Sequence, residues 1–292
     1  MENLCRLCPR KCSVDRSKTH GYCNQGSLKI ARAALHKWEE PIISGDKGSG
    51  TVFFSGCNLK CVYCQNFEVS RGKGKEVTPK SLADIFKKLE DIGAHNINLV
   101  TPTHFADDVV KACEIYKPRI PVAYNCGGYE SLDTLDKLKD IVDIFIPDFK
   151  YGDNALAAKY SNCKDYFEVC AAALLKMRQL QPIDIIEDGL MKKGLIIRHL
   201  VLPNAIDNTK IVLDWIATNM PKDTYVSLMG QYVPVGDAYK YPEINRKLKP
   251  LEYKIATQYA LKLGLDNAFV QSLDSANEVF IPDFDEKSLI SI

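Results

Sequence analysis

The sequence predicts an α/β fold: a parallel sheet wrapped by helices, as an open or partial (β/α)6 barrel, behind a cysteine-rich N-terminal extension. Three observations predict it. After residue 50, short apolar runs rich in β-branched and aromatic residues alternate with amphipathic stretches, as buried parallel strands alternate with crossover helices. Polar residues collect at the C-terminal ends of those runs. Seven of the eleven cysteines fall in two tight groups before residue 65.

The first fifty residues lack the alternation and form the extension, which packs on the barrel. The predicted strands are "TVFFSG" (51–56), "NINLVTP" (96–102), "IPVAYN" (120–125), "VDIFIPD" (142–148), "GLIIRHLVLP" (194–203) and "TYVSLMG" (224–230). A helix over 79–92 starts with Thr78 as cap and Pro79 in the first turn. It carries Leu82, Ile85, Phe86, Leu89 and Ile92 as one stripe and stops at Gly93. Residues 131–140 and 207–218 repeat the pattern, and a last helix runs from Pro250 to Gly264. The stretch 153–193 reads as partly helical with an acidic middle at 184–188. Six strand–helix units are too few for a closed eight-stranded barrel; a partial barrel and a doubly wound sheet both fit. Domain boundaries follow as 1–50, 51–265 and a tail, 266–292, whose "FVQ" and "FIPDF" pieces hold one further strand. The methionines and the two tryptophans read as core.

Composition narrows the function. With 46% hydrophobic and 26% charged residues and a net charge of +1, nothing favours nucleic acid or an anionic membrane as partner. No apolar stretch reaches the roughly 18 residues that span a bilayer, and the N-terminus has no secretory core, so a cytoplasmic protein is expected. Disulfides are rare in that compartment, so clustered cysteines point to metal or cluster ligation. The scattered Cys113, Cys126, Cys163 and Cys170 read as small buried hydrophobes, with Cys126 also standing at a strand tip.

The strand tips carry Ser55–Cys57, Thr101–His104, Asn125–Gly128, Asp148 with Lys150, Arg198, and Gln231. Barrel chemistry gathers at that end of the strands, so these tips suggest one site. Asp148 and Lys150 share a face, while Arg198 and His199 point oppositely. Pairing of Asp148 with Lys150, a structural ion pair for Arg198 and a capping or core role for His104 compete with functional roles. "GCNLKCVYCQN" spaces Cys57, Cys61 and Cys64 so that one loop wraps a cubane iron–sulfur cluster. Three thiolates leave one iron open, and an open position is where a small molecule binds and reacts. A zinc site with a remote fourth ligand is the alternative.

That loop resembles the cluster loop of the radical S-adenosylmethionine (SAM) superfamily, with Tyr63 before the third cysteine. "PDFK" and "IIRHLVLP" are similar to the pyruvate formate-lyase activating enzyme-like branch. The resemblance covers about residues 50–265. It implies a partial (β/α)6 TIM-type barrel holding a [4Fe–4S] cluster on Cys57, Cys61 and Cys64. SAM chelates the open iron, an electron from the reduced cluster cleaves it, and the 5′-deoxyadenosyl radical takes a hydrogen atom from substrate. The resemblance further implies cofactor contacts at Tyr63, Asn125, Asp148, Lys150 and Arg198. Where many members carry Gly-Gly-Glu, this chain has "TPTH", so Thr101, Thr103 and His104 are the available acceptors. Expected partners are an electron donor such as flavodoxin or ferredoxin and, in the activase-like role, a glycyl-radical enzyme. A small-molecule or other protein substrate is the rival within enzymes. A non-catalytic electron-transfer module is the rival of another class.

Cys5, Cys8, Cys12 and Cys23 in "CRLCPRKC…GYC" make a closed set, for zinc or a second iron–sulfur cluster.

Overall fold

A computed structural model describes residues 4–270 and Phe284. Along the chain run β1 (Lys29–His36), α1 (Pro41–Ser44), β2 (Ser49–Phe54), α2 (Phe67–Ser70), β3 (Lys75–Glu76), α3 (Pro79–Asp91), β4 (Ile97–Val100), α4 (Ala106–Ile115), β5 (Val122–Cys126), α5 (Leu132–Leu138), β6 (Ile144–Pro147), α6 (Asn154–Ser161), α7 (Tyr166–Leu180), β7 (Ile185–Glu187), β8 (Leu190–Leu200), α8 (Ile206–Asn219), β9 (Tyr225–Met229), α9 (Pro250–Lys262) and β10 (Ala268–Val270). One sheet takes the order β10–β9–β8–β6–β5–β4–β2–β1–β3, with β7 folded onto β8. From β2 to β10 the pairing is parallel throughout. All six predicted strands form. β10, from the "FVQ" piece, adds a seventh; apart from Phe284, "FIPDF" lies outside the described residues.

Two expectations gain detail and one needs correction. The extension does more than pack on the barrel: β1 pairs antiparallel with β2, and β3 with β1. Every residue of β2 is buried, so its outer backbone edge needs a ladder partner, and β1 supplies it despite the helix-forming alanines of "KIARAALH". The stretch 153–193 holds α6 and α7, and its acidic middle is a hairpin. Asp188 and Gly189 there take φ of 51° and 75°, the two-residue turn that an Asp-Gly pair favours. Trp38 is not core but 65% exposed, whereas Trp215 packs edge-on against Phe149 at 5.3 Å.

In α3, Thr78 accepts a hydrogen bond from the Ser81 amide, and Leu82, Ile85, Phe86 and Leu89 are buried. Ile92 lies past the last turn and is 54% exposed. The main core fills the space between helices and sheet.

Register sets what the other face presents. Thr51 stands beside Asn98, Phe53 beside Val100, Val100 beside Asn125, and Arg198 beside Ser227. Lower on that face Ile43 of α1 joins Ala123, Ile144, Ile146, Met191 and Ile196 in a separate apolar cluster. The four-residue α1 thus seals the end from which the strands start. The upper end stays open for polar groups.

Candidate active site

The site is built on the turn that leaves β2. Gly56 has φ +83°, and a Cβ there would stand 2.6 Å from the Cys23 carbonyl, so only glycine fits. The chain then wraps Cys57, Cys61 and Cys64 around one side of a cavity of about 440 Å³. The Leu59 amide donates to the Cys57 sulfur (3.3 Å), and the Ser161 hydroxyl donates to the Cys61 sulfur (2.9 Å). Burial pushes the Cys57 thiol up and the Cys64 thiol to about 12, so bare thiolates are unfavourable until a cationic centre joins them. Among the described residues, no three His, Cys, Asp or Glu side chains are drawn together as ligands of one ion. Three thiols on the wall of a wide cavity fit a polynuclear cluster with room beside it for a nucleoside-sized molecule.

Opposite the thiols stands a charged network. Arg198 donates from Nε to Asp148 (2.8 Å), from one terminal nitrogen to Glu39 (3.2 Å) and from the other to the Asn125 side chain (2.6 Å). Lys150 pairs with the second oxygen of Asp148. Burial opposes ionisation of Asp148, but Arg198 and Lys150 outweigh it and hold the carboxyl below its usual range. Burial likewise opposes charge on Lys150 and Arg198, and Asp148 overcomes it in both. Burial pushes Glu39 up to about 7, against the pull of Arg198. Asp148, Lys150, Arg198 and Asn125 therefore meet in one cavity, and the pairing readings hold too: these side chains hold one another in place.

Thr101 lines the cavity with φ +60°, a conformation that costs a β-branched residue strain, and its amide donates to the Asn125 carbonyl (2.8 Å). Thr103 corrects its expectation: it is fully buried and donates to Glu130 (2.8 Å), away from the cavity. It falls on the 3₁₀ turn after β4, which rotates its hydroxyl toward α5. Tyr63 lines the cavity while its hydroxyl donates to Tyr151 (2.6 Å). Gln231 and the buried Cys126 also line it. His199 points to the helix side, meeting the Phe149 carbonyl and Thr209. Sequence reasoning missed Glu39 and Glu40, which enter the cavity from the segment between β1 and α1. Two adjacent glutamates before a proline, ahead of the first parallel strand, were the available signal.

Cys5, Cys8, Cys12 and Cys23 line a separate small pocket with Arg16 and His104. Burial pushes Cys8 up to about 12 and raises Cys23. His104 is buried, with its Nε2 donating to the Ser55 carbonyl, and burial holds it down to about 4.

Comparison with known proteins bears on the thiol loop. The sequence model of the radical SAM superfamily matches residues 51–209. An uncharacterized protein of Methanocaldococcus jannaschii is 33% identical over 273 residues, covering 90% of this chain and 75% of that protein. Streptococcus suis SuiB, solved with S-adenosylmethionine, superposes with a TM-score of 0.54 at 16% identity, over 75% of this chain and 49% of SuiB. Methylornithine synthase (PylB) superposes with a TM-score of 0.50 at 18% identity, over 77% of this chain and 65% of PylB. The chain thus spans about half the length of SuiB, and these two likenesses speak to the fold.

Proposed function

The chain belongs to the radical SAM superfamily, and from that premise we propose that it takes a hydrogen atom from a substrate entering past Trp38, in the manner of the pyruvate formate-lyase activating enzyme-like branch. Its cofactors are a [4Fe–4S] cluster and S-adenosylmethionine. Bound and reduced by one electron from a donor of the flavodoxin or ferredoxin kind, they supply the 5′-deoxyadenosyl radical that takes the hydrogen atom. The observation that carries the reading is the single cavity in which Cys57, Cys61 and Cys64 face Asn125, Asp148, Lys150 and Arg198.

The residues divide the work. The three thiolates would hold the cluster, and Lys150 would offset their charge. Arg198 is locked by Asp148 and Glu39, so its remaining N–H groups are oriented for a carboxylate. The strained Thr101 turn offers backbone acceptors for an amino group where relatives carry glycines. Tyr63, which lines the cavity, would offer its backbone to the adenine. The apolar seal below would close that end of the barrel to water.

For the substrate, the exposed indole of Trp38 at the rim supports a peptide segment, as a glycyl-radical enzyme would offer. A small molecule is the second reading, favoured by Glu40, which lines the cavity with its Oε2 buried and unpartnered. Eleven free thiols support a reducing, cytoplasmic setting, and among the described residues no helix is long and apolar enough to cross a membrane.

The test is anaerobic reconstitution with iron and sulfide, reduction, and measurement of 5′-deoxyadenosine from SAM. Product formation that is absent without reductant supports the reading, and a reconstituted, reduced protein that forms none overturns it. Deuterium from a labelled glycyl peptide appearing in the product selects the activase-like role.

A further inference from the structure

A second site lies outside the cavity. Leu4 and Asp15 bridge, the Cys5 amide donates to the Val14 carbonyl, and the Ser13 amide donates to that of Cys5, closing a hairpin that carries Cys5, Cys8 and Cys12. Cys23 arrives from the following turn. The four thiol residues line one small void of about 10 Å³, and none of its lining residues lines the larger cavity. That volume suits one ion-sized body.

The surroundings favour a bound cation. The Tyr22 amide donates to the Cys12 sulfur at 3.3 Å. The amides of Arg10 and Gln25 bond Cys8 and Cys23, each two residues back along the chain. His104 is 1% exposed, and its Nε2 can only donate to the Ser55 carbonyl (2.6 Å), which leaves Nδ1 as a bare acceptor. Nδ1 has no partner, and His104 lines this void. A histidine fixed through one ring nitrogen by a backbone carbonyl, with the other nitrogen bare, is arranged as a metal ligand. One terminal nitrogen of Arg16, a residue that also lines the void, is buried without a partner, a complement for the negative charge of a thiolate-bound ion.

We propose that this pocket is a structural site for one four-coordinate divalent ion of the zinc class, held by His104 Nδ1 and the three thiolates that accept backbone amides, Cys8, Cys12 and Cys23, with Cys5 beside them. The site ties the extension to the cluster loop. Arg10 donates from Nε to the Asn58 carbonyl (2.8 Å), Tyr22 donates to the Leu59 carbonyl (3.2 Å), and the Cys23 carbonyl lies against Gly56. As they stand, no three of these side chains are drawn together as ligands of one ion, so the proposed site needs them to turn inward into the void they share. The inference is independent of the proposed reaction.

The test is metal analysis of anaerobically prepared full-length protein, with cobalt substitution as a second readout. The expected result is about one zinc and about four irons per chain. About eight irons without zinc, or about four without zinc, overturns the proposal. In cobalt-loaded protein lacking the second thiol set (Cys57, Cys61 and Cys64 to Ala), thiolate-to-cobalt charge-transfer bands are expected. Introducing His104→Gln is expected to shift the ligand-field bands. Bands that do not move remove His104 from the ligand set and overturn the site as proposed. Should the triple variant not fold, zinc counts on His104→Gln alone decide it: zinc falling well below the wild-type count supports the ligand, and an unchanged count overturns it.

Discussion

The two thiol groups lie on either side of one glycine and could hardly differ more in surroundings. The first has four sulfurs, a histidine and a void for one ion. The second has three sulfurs on the wall of a cavity of about 440 Å³ that it shares with five charged side chains, Glu39, Glu40, Asp148, Lys150 and Arg198. A filled ligand set leaves a metal nothing to do but hold the chain together; a set one ligand short leaves a place for chemistry. On the proposed readings, ligand count and free volume, more than residue type, separate structural thiols from reactive ones.

The sharpest way to break that contrast is a pair of substitutions. Cys61→Ala leaves two thiolates for the cluster, and SAM cleavage, measured as 5′-deoxyadenosine, should fall by about a thousandfold or more, a loss above ~4 kcal/mol. Cys12→Ser should instead cost zinc while cleavage per bound iron stays within about threefold, a change below ~1 kcal/mol. Cleavage that survives Cys61→Ala, or vanishes per iron in Cys12→Ser, would invert the two roles.

The seam comes next. Gly56→Ala forces a side chain into the Cys23 carbonyl at a positive φ, and a loss of about 3–4 kcal/mol is expected. It should appear as a lower melting temperature together with lower iron content; an unchanged melting curve would mean that the two groups are not in contact.

Glu130 lies between the regions, since its charge is felt by both Cys8 and Cys126. Burial pushes it up to about 7 from an ordinary 4.5, while Thr103 and Tyr124 donate to it. The folded chain therefore keeps this proton where the unfolded chain has released it. Stability should fall as pH rises from about 4.5 to 7, by up to about 3 kcal/mol from this group. Glu39, also at about 7, adds in the same direction. Glu130→Gln should flatten the decline of melting temperature over that window, and equal slopes for variant and wild type would show that the carboxyl is ionised when folded.

The smallest effect belongs to the cavity alone. Arg198→Lys keeps the charge but loses the fork that meets Asp148, Glu39 and Asn125 together. SAM affinity should weaken about tenfold, near 1.4 kcal/mol, with metal content unchanged. Calorimetric titration of the reconstituted protein checks it.

Much of this was legible because it rests on local pattern. Thr78 before Pro79 starts a helix wherever it stands, and Asp148 and Lys150 share a face because strands alternate. What was not legible depends on distant chain. Thr103 sits at a strand tip like Thr101, but only the 3₁₀ turn after it and Glu130, 27 residues on, decide which way it faces. β1 is a strand because β2 has an edge to cover. Glu39 became part of the site through Arg198, 159 positions away. The first thiol set was visible as a candidate metal site, but His104, 81 residues beyond Cys23, could be joined to it only in three dimensions.

The seal formed by α1 has a consequence for how the protein is made. Ile43 rests on Met191 and Ile196, residues that leave the ribosome about 150 residues later. At 5–20 residues per second that delay is roughly 8–30 s. Throughout it the plug has only part of its seat, Ala123, Ile144 and Ile146, and Cys57, Cys61 and Cys64 have emerged while Arg198 does not yet exist. The nascent chain offers its thiols to iron, or to an oxidant, before the barrel can shelter them. Oxygen supply during synthesis, as much as after it, should therefore govern how much of the protein matures with its cluster.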